Sequence, residues 1–195
     1  MKSGTFLLIC VALVAFSSSC ASIHKGAEPQ KGAEPAGPGV TSIEDIIRLA
    51  QEQVAHGEYK KALAIYSTAY DKYHHPRLQY RYAGAGEHIR TAADAAYQRK
   101  AFADAGSLYL VLFESCITTR NFAGSLSFND GYLGGQIKAC SKALTEIGLV
   151  KYREEKLDEA ISIWQKVLAF DRDNKGVMKA IHTATRQLQK LKNFK

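Results

Sequence analysis

The sequence predicts an all-α protein made of antiparallel helix pairs stacked into a solenoid. Three observations predict it. Beyond residue 40 only Pro76 remains of the four prolines, and apolar residues recur with the period of a helix. One small pattern occurs three times, as Tyr59-Ala62-Tyr66, Phe102-Ala105-Tyr109 and Leu157-Ala160-Trp164. Its i, i+3, i+7 spacing places large, small and large side chains on one helix face, so a second helix can come close at the alanine. Each copy also follows another apolar-periodic segment after a short break, which is the arrangement of a stacked helix-pair array.

The chain of 195 residues suits one domain, with 46% apolar and 23% charged residues, as in an ordinary globular protein. Residues 1–19 read as a signal peptide. Lys2 supplies a positive start, and an apolar run of eleven, residues 6–16, is too short for a stable membrane span. Ser17-Ser18-Ser19-Cys20 closes it and resembles a bacterial lipobox, in which the cysteine is acylated and becomes the new N-terminus. The position three before Cys20 is Ser17, where lipoboxes usually carry an aliphatic residue. The alternative is ordinary secretory cleavage after Ala21. Acylation would give firm attachment, at about 0.8 kcal/mol per buried CH₂. Ala21 in place of an aspartate resembles outer-membrane sorting. Residues 20–40 then form a flexible linker, in which Lys25-Gly26-Ala27-Glu28-Pro29 returns as Lys31-Gly32-Ala33-Glu34-Pro35. Such a segment has too little apolar bulk to offset its ordering entropy.

The helical domain spans 41–195. Thr41-Ser42 followed by Glu44-Asp45 predicts a capped helix start, with Ile43, Ile46, Ile47, Ala50 and Val54 as its apolar stripe and Gly57 as its end. A second helix runs from about Tyr59 to Tyr73, with Ala62, Leu63, Tyr66, Ala69 and Tyr70 inward, until His74-His75-Pro76 breaks it. A third runs from Arg77 to about Arg99, with Gly84 and Gly86 weakening its first half and Ile89, Ala92, Ala93, Ala96 and Tyr97 inward. A fourth runs from about Ala101 to Ile117, with Phe102, Ala105, Leu108, Tyr109, Leu112 and Phe113 inward. Residues 118–131 read as a loop long enough to cover a groove. A fifth helix runs from Tyr132 to about Glu154, with Ile137, Cys140, Leu144, Ile147 and Val150 along one stripe. A sixth runs from Leu157 to Phe170 and stops at Asp171-Arg172-Asp173-Asn174. The last, about 175–192, carries Val177, Ile181, Ala184, Leu188 and Leu191 on one face, and its polar outer face suits a capping helix.

These pairs resemble tetratricopeptide repeats. That family's turn, key alanine and aromatic fall on Gly57-Glu58-Tyr59, Ala62 and Tyr66 in the first unit. They fall on Lys100-Ala101-Phe102, Ala105 and Tyr109 in the second, and on Glu155-Lys156-Leu157, Ala160 and Trp164 in the third. The family's Leu-Gly pair falls on Leu49-Ala50, Ala92-Ala93 and Ile147-Gly148. The key alanines stand 43 and 55 residues apart, against the usual period of about 34, so three irregular repeats plus the capping helix are expected. The extra residues precede the first helix of units two and three.

The resemblance implies a scaffold that binds a protein partner along the layer of first helices. Solvent-facing candidates there are Arg48, Gln51, Arg90, Asp94, Gln98, Lys138 and Lys142, with Tyr73, Tyr80, Tyr82 and Tyr132 as amphipathic neighbours. Net charge is +7, and residues 151–195 hold eleven Lys/Arg against six acids. That excess reads as a solvated face or as a site for an anionic envelope polymer or lipid. Export disfavours nucleic acid. Cys116 and Cys140, on neighbouring helices, are read as buried thiols, with a disulfide as the alternative. No residues present a catalytic constellation, a cofactor motif or metal-ligand spacing, so a non-enzymatic role is expected. The full expectation is a lipid-anchored scaffold, exported and facing the periplasm from the outer membrane, that serves envelope assembly or secretion.

Overall fold

Ser42 starts the first helix as its sequence position predicts: its hydroxyl accepts the Asp45 N–H at 3.1 Å, and Glu44 and Asp45 fill the first turn. The computed structural model describes residues 42–193. The signal segment 1–19, Cys20 and the linker 20–40 lie outside the described residues. Within them the chain is all-helical, with no strand: α1 Ile43–Ala55, α2 Tyr59–Tyr73, α3 Pro76–Gln98, α4 Phe102–Thr118, a short 3-10 helix Arg120–Ser125, α5 Asp130–Arg153, α6 Leu157–Phe170 and α7 Lys175–Asn193. Each α-helix packs on its neighbours in sequence, and α1 with α3, α2 with α4, and α4 with α6 also touch. The outcome is two layers, α1, α3, α5 and α7 in one and α2, α4 and α6 in the other, consistent with a solenoid of helix pairs.

The turn inside each pair is the same turn three times. Gly57, Lys100 and Glu155 take left-handed φ values of 75°, 63° and 60°. At the first turn the Gly57 N–H reaches the Val54 carbonyl at 3.0 Å and the Glu58 N–H the Gln53 carbonyl at 2.8 Å. Lys100 and Ala101 repeat both bonds onto Tyr97 and Ala96, and Glu155 and Lys156 repeat them onto Tyr152 and Lys151. Such paired bonds close a helix by using up its last carbonyls. Only the first turn uses glycine; the other two hold a side chain in a conformation that costs about 1–2 kcal/mol.

The repeated side chains sit where the spacing puts them. Ala62, Ala105 and Ala160 are fully buried, and Tyr66, Tyr109 and Trp164 are buried beside them. Tyr59 and Phe102 are half-buried, whereas Leu157 is buried. Ala50, Ala93 and Gly148, the small residues of the first helices, are buried too. At Gly148 even a methyl would come within 2.3 Å of the Trp164 indole nitrogen, which itself donates to the Thr145 carbonyl at 3.2 Å. Gly148 takes this inward place on α5, so Ile147 and Val150, expected in its stripe, face outward at 39% and 49% exposure. Leu191, expected on the inner face of α7, is likewise exposed.

The segment after α4 contributes to the core. Phe122 of the 3-10 helix is buried, stacks on Tyr82 at 4.1 Å and leans on Tyr70 at 4.9 Å. Phe128 is buried as well, and Leu126 lies against Gly86, where an added methyl would meet it at 2.9 Å. These side chains cover the first half of α3, the stretch that a 34-residue repeat would lack. Tyr82 is therefore core, its hydroxyl held by Ser115 at 2.6 Å and Thr119 at 2.8 Å, and it offers no interface. Cys116 and Cys140 are free thiols, half-buried and buried; burial pushes the Cys140 thiol up to about 11. No helix among the described residues is long and apolar enough to cross a membrane.

Candidate partner-binding surface

A groove of about 760 Å³ opens where the end of α1 and the first turn face the front half of α3. α1 and its turn contribute Gln51, His56 and Gly57, α2 contributes Tyr59 and Tyr66, and α3 contributes Tyr80, Arg81, Gly84 and His88. The α3 residues reach this place because the helix begins at Pro76, three turns before Ile89 takes up the repeat pattern. His56 is steadied by a 2.8 Å contact from Nδ1 to the Glu52 carbonyl. The Tyr59 and His88 rings stand 6.3 Å apart, tilted by 54°. Tyr66 forms the floor; burial pushes its hydroxyl above the usual tyrosine value, and the Arg81 charge draws it partly back.

Of the seven residues expected on the partner face, Gln51 alone lines this groove. Arg48 is exposed and lies between Asp45 at 3.0 Å and Glu52 at 3.3 Å on its own helix. Gln98 and Lys138 are exposed, and exposed Lys142 stands 4.0 Å from Glu146. Arg90 and Asp94 are half-buried and tie the scaffold together. Arg90 donates to Glu87 at 2.9 Å and to Asp94 at 2.6 Å. Asp94 also accepts from the hydroxyls of Tyr109 at 2.5 Å and Tyr132 at 3.1 Å, joining α3, α4 and α5. Burial and the Asp94 carboxylate together push both tyrosine hydroxyls upward, since losing a proton beside that charge is unfavourable. Glu87 accepts the Ser127 N–H at 2.9 Å and so fastens the segment after the 3-10 helix.

Tyr80, expected as an amphipathic neighbour of the partner face, does line the groove, whereas His56, Arg81, Gly84 and His88 were not expected at a site. The only sequence signal was Gly84, a glycine inside a predicted helix, together with the extra length ahead of Ile89.

Two other surfaces compare with the groove. On the opposite layer a cavity of about 580 Å³ lies between α2 and α4, walled by Leu63, Leu110, Phe113 and Ile117 and bridged by the 2.8 Å Lys60–Glu114 ion pair. On α7, His182 and the cations Arg186 and Lys190 form a row over a shallow hollow lined by α7 alone. Among the described residues no group of three or more His, Cys, Asp or Glu side chains is placed to hold a metal ion.

Compared with known protein families, curated proteins and solved structures, the chain finds no match.

Proposed function

We propose that the chain is a tetratricopeptide-like scaffold that binds a segment of another protein in the groove between α1 and α3. The observation that carries this reading is that the groove is walled by the first helices of two successive pairs, with three tyrosines and two glycines on its walls and floor. Tyrosine combines a broad apolar ring with a polar edge and suits protein contacts. The threefold recurrence of one turn, with left-handed residues at Gly57, Lys100 and Glu155, supports the tetratricopeptide likeness. The apolar run 6–16 and Cys20 support export and lipid attachment, with the 20–40 linker giving the domain reach from an outer membrane toward partners in envelope assembly or secretion.

Photocrosslinkers placed at Gln51 and at Tyr80 of the full chain, in its native envelope, test the partner reading. The expected result is one protein captured from both positions and not from exposed Lys166 on α6. Equal capture from all three positions would end it. Cys20→Ser should release the chain from the membrane, and unchanged attachment and processing would end the lipoprotein reading. A second reading, an anionic polymer or lipid held by the basic C-terminal region, rests on the cations Arg186 and Lys190 of α7. Binding of that kind falls steeply with salt.

A further inference from the structure

We propose that the α1–α3 groove recognises an acidic peptide segment, with Arg81 as the charged anchor and Gly84 as the bare backbone against which the segment lies. The inference rests on the protein-binding reading above and adds the chemistry of the partner.

Charge comes first. The groove lining contains Arg81, His56 and His88, and no aspartate or glutamate. Two other arginines of α3 are neutralised at home: Arg77 pairs with Glu44, and Arg90 pairs with Glu87 and Asp94. Arg81 has no such partner among the described residues, and its charge is felt at the buried Tyr66 hydroxyl. Arg81 is exposed on the groove wall, and a guanidinium free of a partner there calls for a carboxylate, which it can hold with two parallel hydrogen bonds. One arginine flanked by two imidazoles is a small charge for a polyanion, which would need a row of cations.

Gly84 is the second, independent observation. Glycine is a poor helix former, so one inside a helix calls for a reason. Gly86, Gly106 and Gly148 have one: a methyl there would come within 3 Å of Leu126, Phe170 or Trp164. At Gly84 a methyl would meet nothing within 4 Å, and the residue is on the groove wall. Gly135 on α5 is also open but lines none of the described cavities. Gly84 therefore leaves a strip of helix backbone uncovered beside Arg81, which is what a glycine provides where another chain must approach closely. The groove volume lies inside the range of about 300–1,000 Å³ usual for ligand sites.

The test uses the full chain and two dye-labelled ten-residue peptides, one alternating glutamate with leucine and one with lysine in place of every glutamate, read by fluorescence anisotropy. The acidic peptide should bind at least about tenfold more tightly than the basic one. Arg81→Gln should weaken it about tenfold or more, and Gly84→Phe, which fills open space, should do the same with an unchanged circular-dichroism spectrum. Lys190→Gln on α7 should change nothing. Any one of four results overturns the inference: no binding of the acidic peptide, equal binding of both peptides, affinity within about twofold after Arg81→Gln, or loss on Lys190→Gln, which would move the site to α7. Displacement by inorganic phosphate as effective as by unlabelled peptide would also overturn it, in favour of a small-anion site. If crosslinking from Gln51 persists in the Arg81→Gln chain while peptide binding is unchanged, the scaffold reading survives and the acidic one falls.

Discussion

The turns inside the helix pairs and the connections between the pairs follow different rules. Inside a pair, three different sequences, beginning at Gly57, Lys100 and Glu155, make one backbone turn with one hydrogen-bond pattern. Between pairs nothing repeats. α2 passes to α3 through His74 and His75, with His74 left-handed at φ 47° and His75 capping the Arg77 N–H. α4 passes to α5 through a 3-10 helix that drives Phe122 between Tyr70 and Tyr82. α6 passes to α7 through Asp171 and Asn174, both bonded to Ser141 of α5. Turns set by local backbone bonds tolerate any sequence that can bear a left-handed residue. Connections set by side-chain packing are individual, and the groove at Arg81 is bounded by a turn of the first kind, at Gly57.

That difference can be broken most sharply at Phe122. Phe122→Ala empties a stacked, fully buried aromatic site and should cost about 3–5 kcal/mol. Urea unfolding would measure it, and a loss below about 1 kcal/mol would mean that the segment after α4 only drapes over the fold. Next comes a matched pair of glycines. Gly148→Ala forces a methyl against the Trp164 ring at 2.3 Å and should destabilise by about 1–3 kcal/mol even with alanine's better helix propensity. Gly84→Ala adds the same methyl to open space and should stabilise by up to about 1 kcal/mol. If thermal melts moved the same way for both, close packing would not be the reason for Gly148.

Glu155→Gly should stabilise by about 0.5–1 kcal/mol, relief of left-handed strain being partly offset by the entropy glycine adds to the unfolded chain. Gly57→Ala should lose a similar amount at the equivalent turn. Denaturation midpoints of the two variants would show whether the turns are interchangeable. Opposite signs are expected; equal signs would mean that neighbouring side chains set these turns.

How far the fold was legible follows from the same division. The ends of α2 and α6 were readable to the residue, because turn residues and the i, i+3, i+7 pattern are local signals. The Ala62, Ala105 and Ala160 contacts were readable because spacing alone puts them on the packed face. The segment 118–131 was read as a loop from its Asn, Ser, Gly and Asp content. The aromatic Phe122 and Phe128 within it report burial only when α3 is long enough to need covering. Tyr82 looked amphipathic because its hydroxyl partners, Ser115 and Thr119, are more than thirty positions away. Arg90 and Asp94 looked solvent-facing by helical phase, yet Tyr109 and Tyr132 come to them from other helices. Arg81 and His56 gave no sign, since a groove is a property of two helices and each contributes only half of it.

Acid should act on a between-pair connection at Glu87. Partial burial pushes its carboxyl up, but the Ser127 N–H and the Arg90 guanidinium pull harder, so it sits below its ordinary 4.5. A carboxylate depressed in the folded state contributes in full above its unfolded value and loses that contribution as pH falls through the lower folded value. The stability gap between the native chain and Glu87→Gln should therefore be constant above about pH 5 and shrink on going to about pH 3. The gap is the smallest effect in the series, below about 1 kcal/mol, because the side chain is about a third exposed. Amide exchange at Ser127 would report it directly, since that N–H loses its charged acceptor when Glu87 is protonated. The turn at Lys100 has no carboxylate in its two closing bonds, and its protection relative to the intrinsic exchange rate should not change with acid over the same range. Matching acid sensitivity at Ser127 and at Ala101 would mean that the two kinds of connection open together, and that the division between them does not extend to their dynamics.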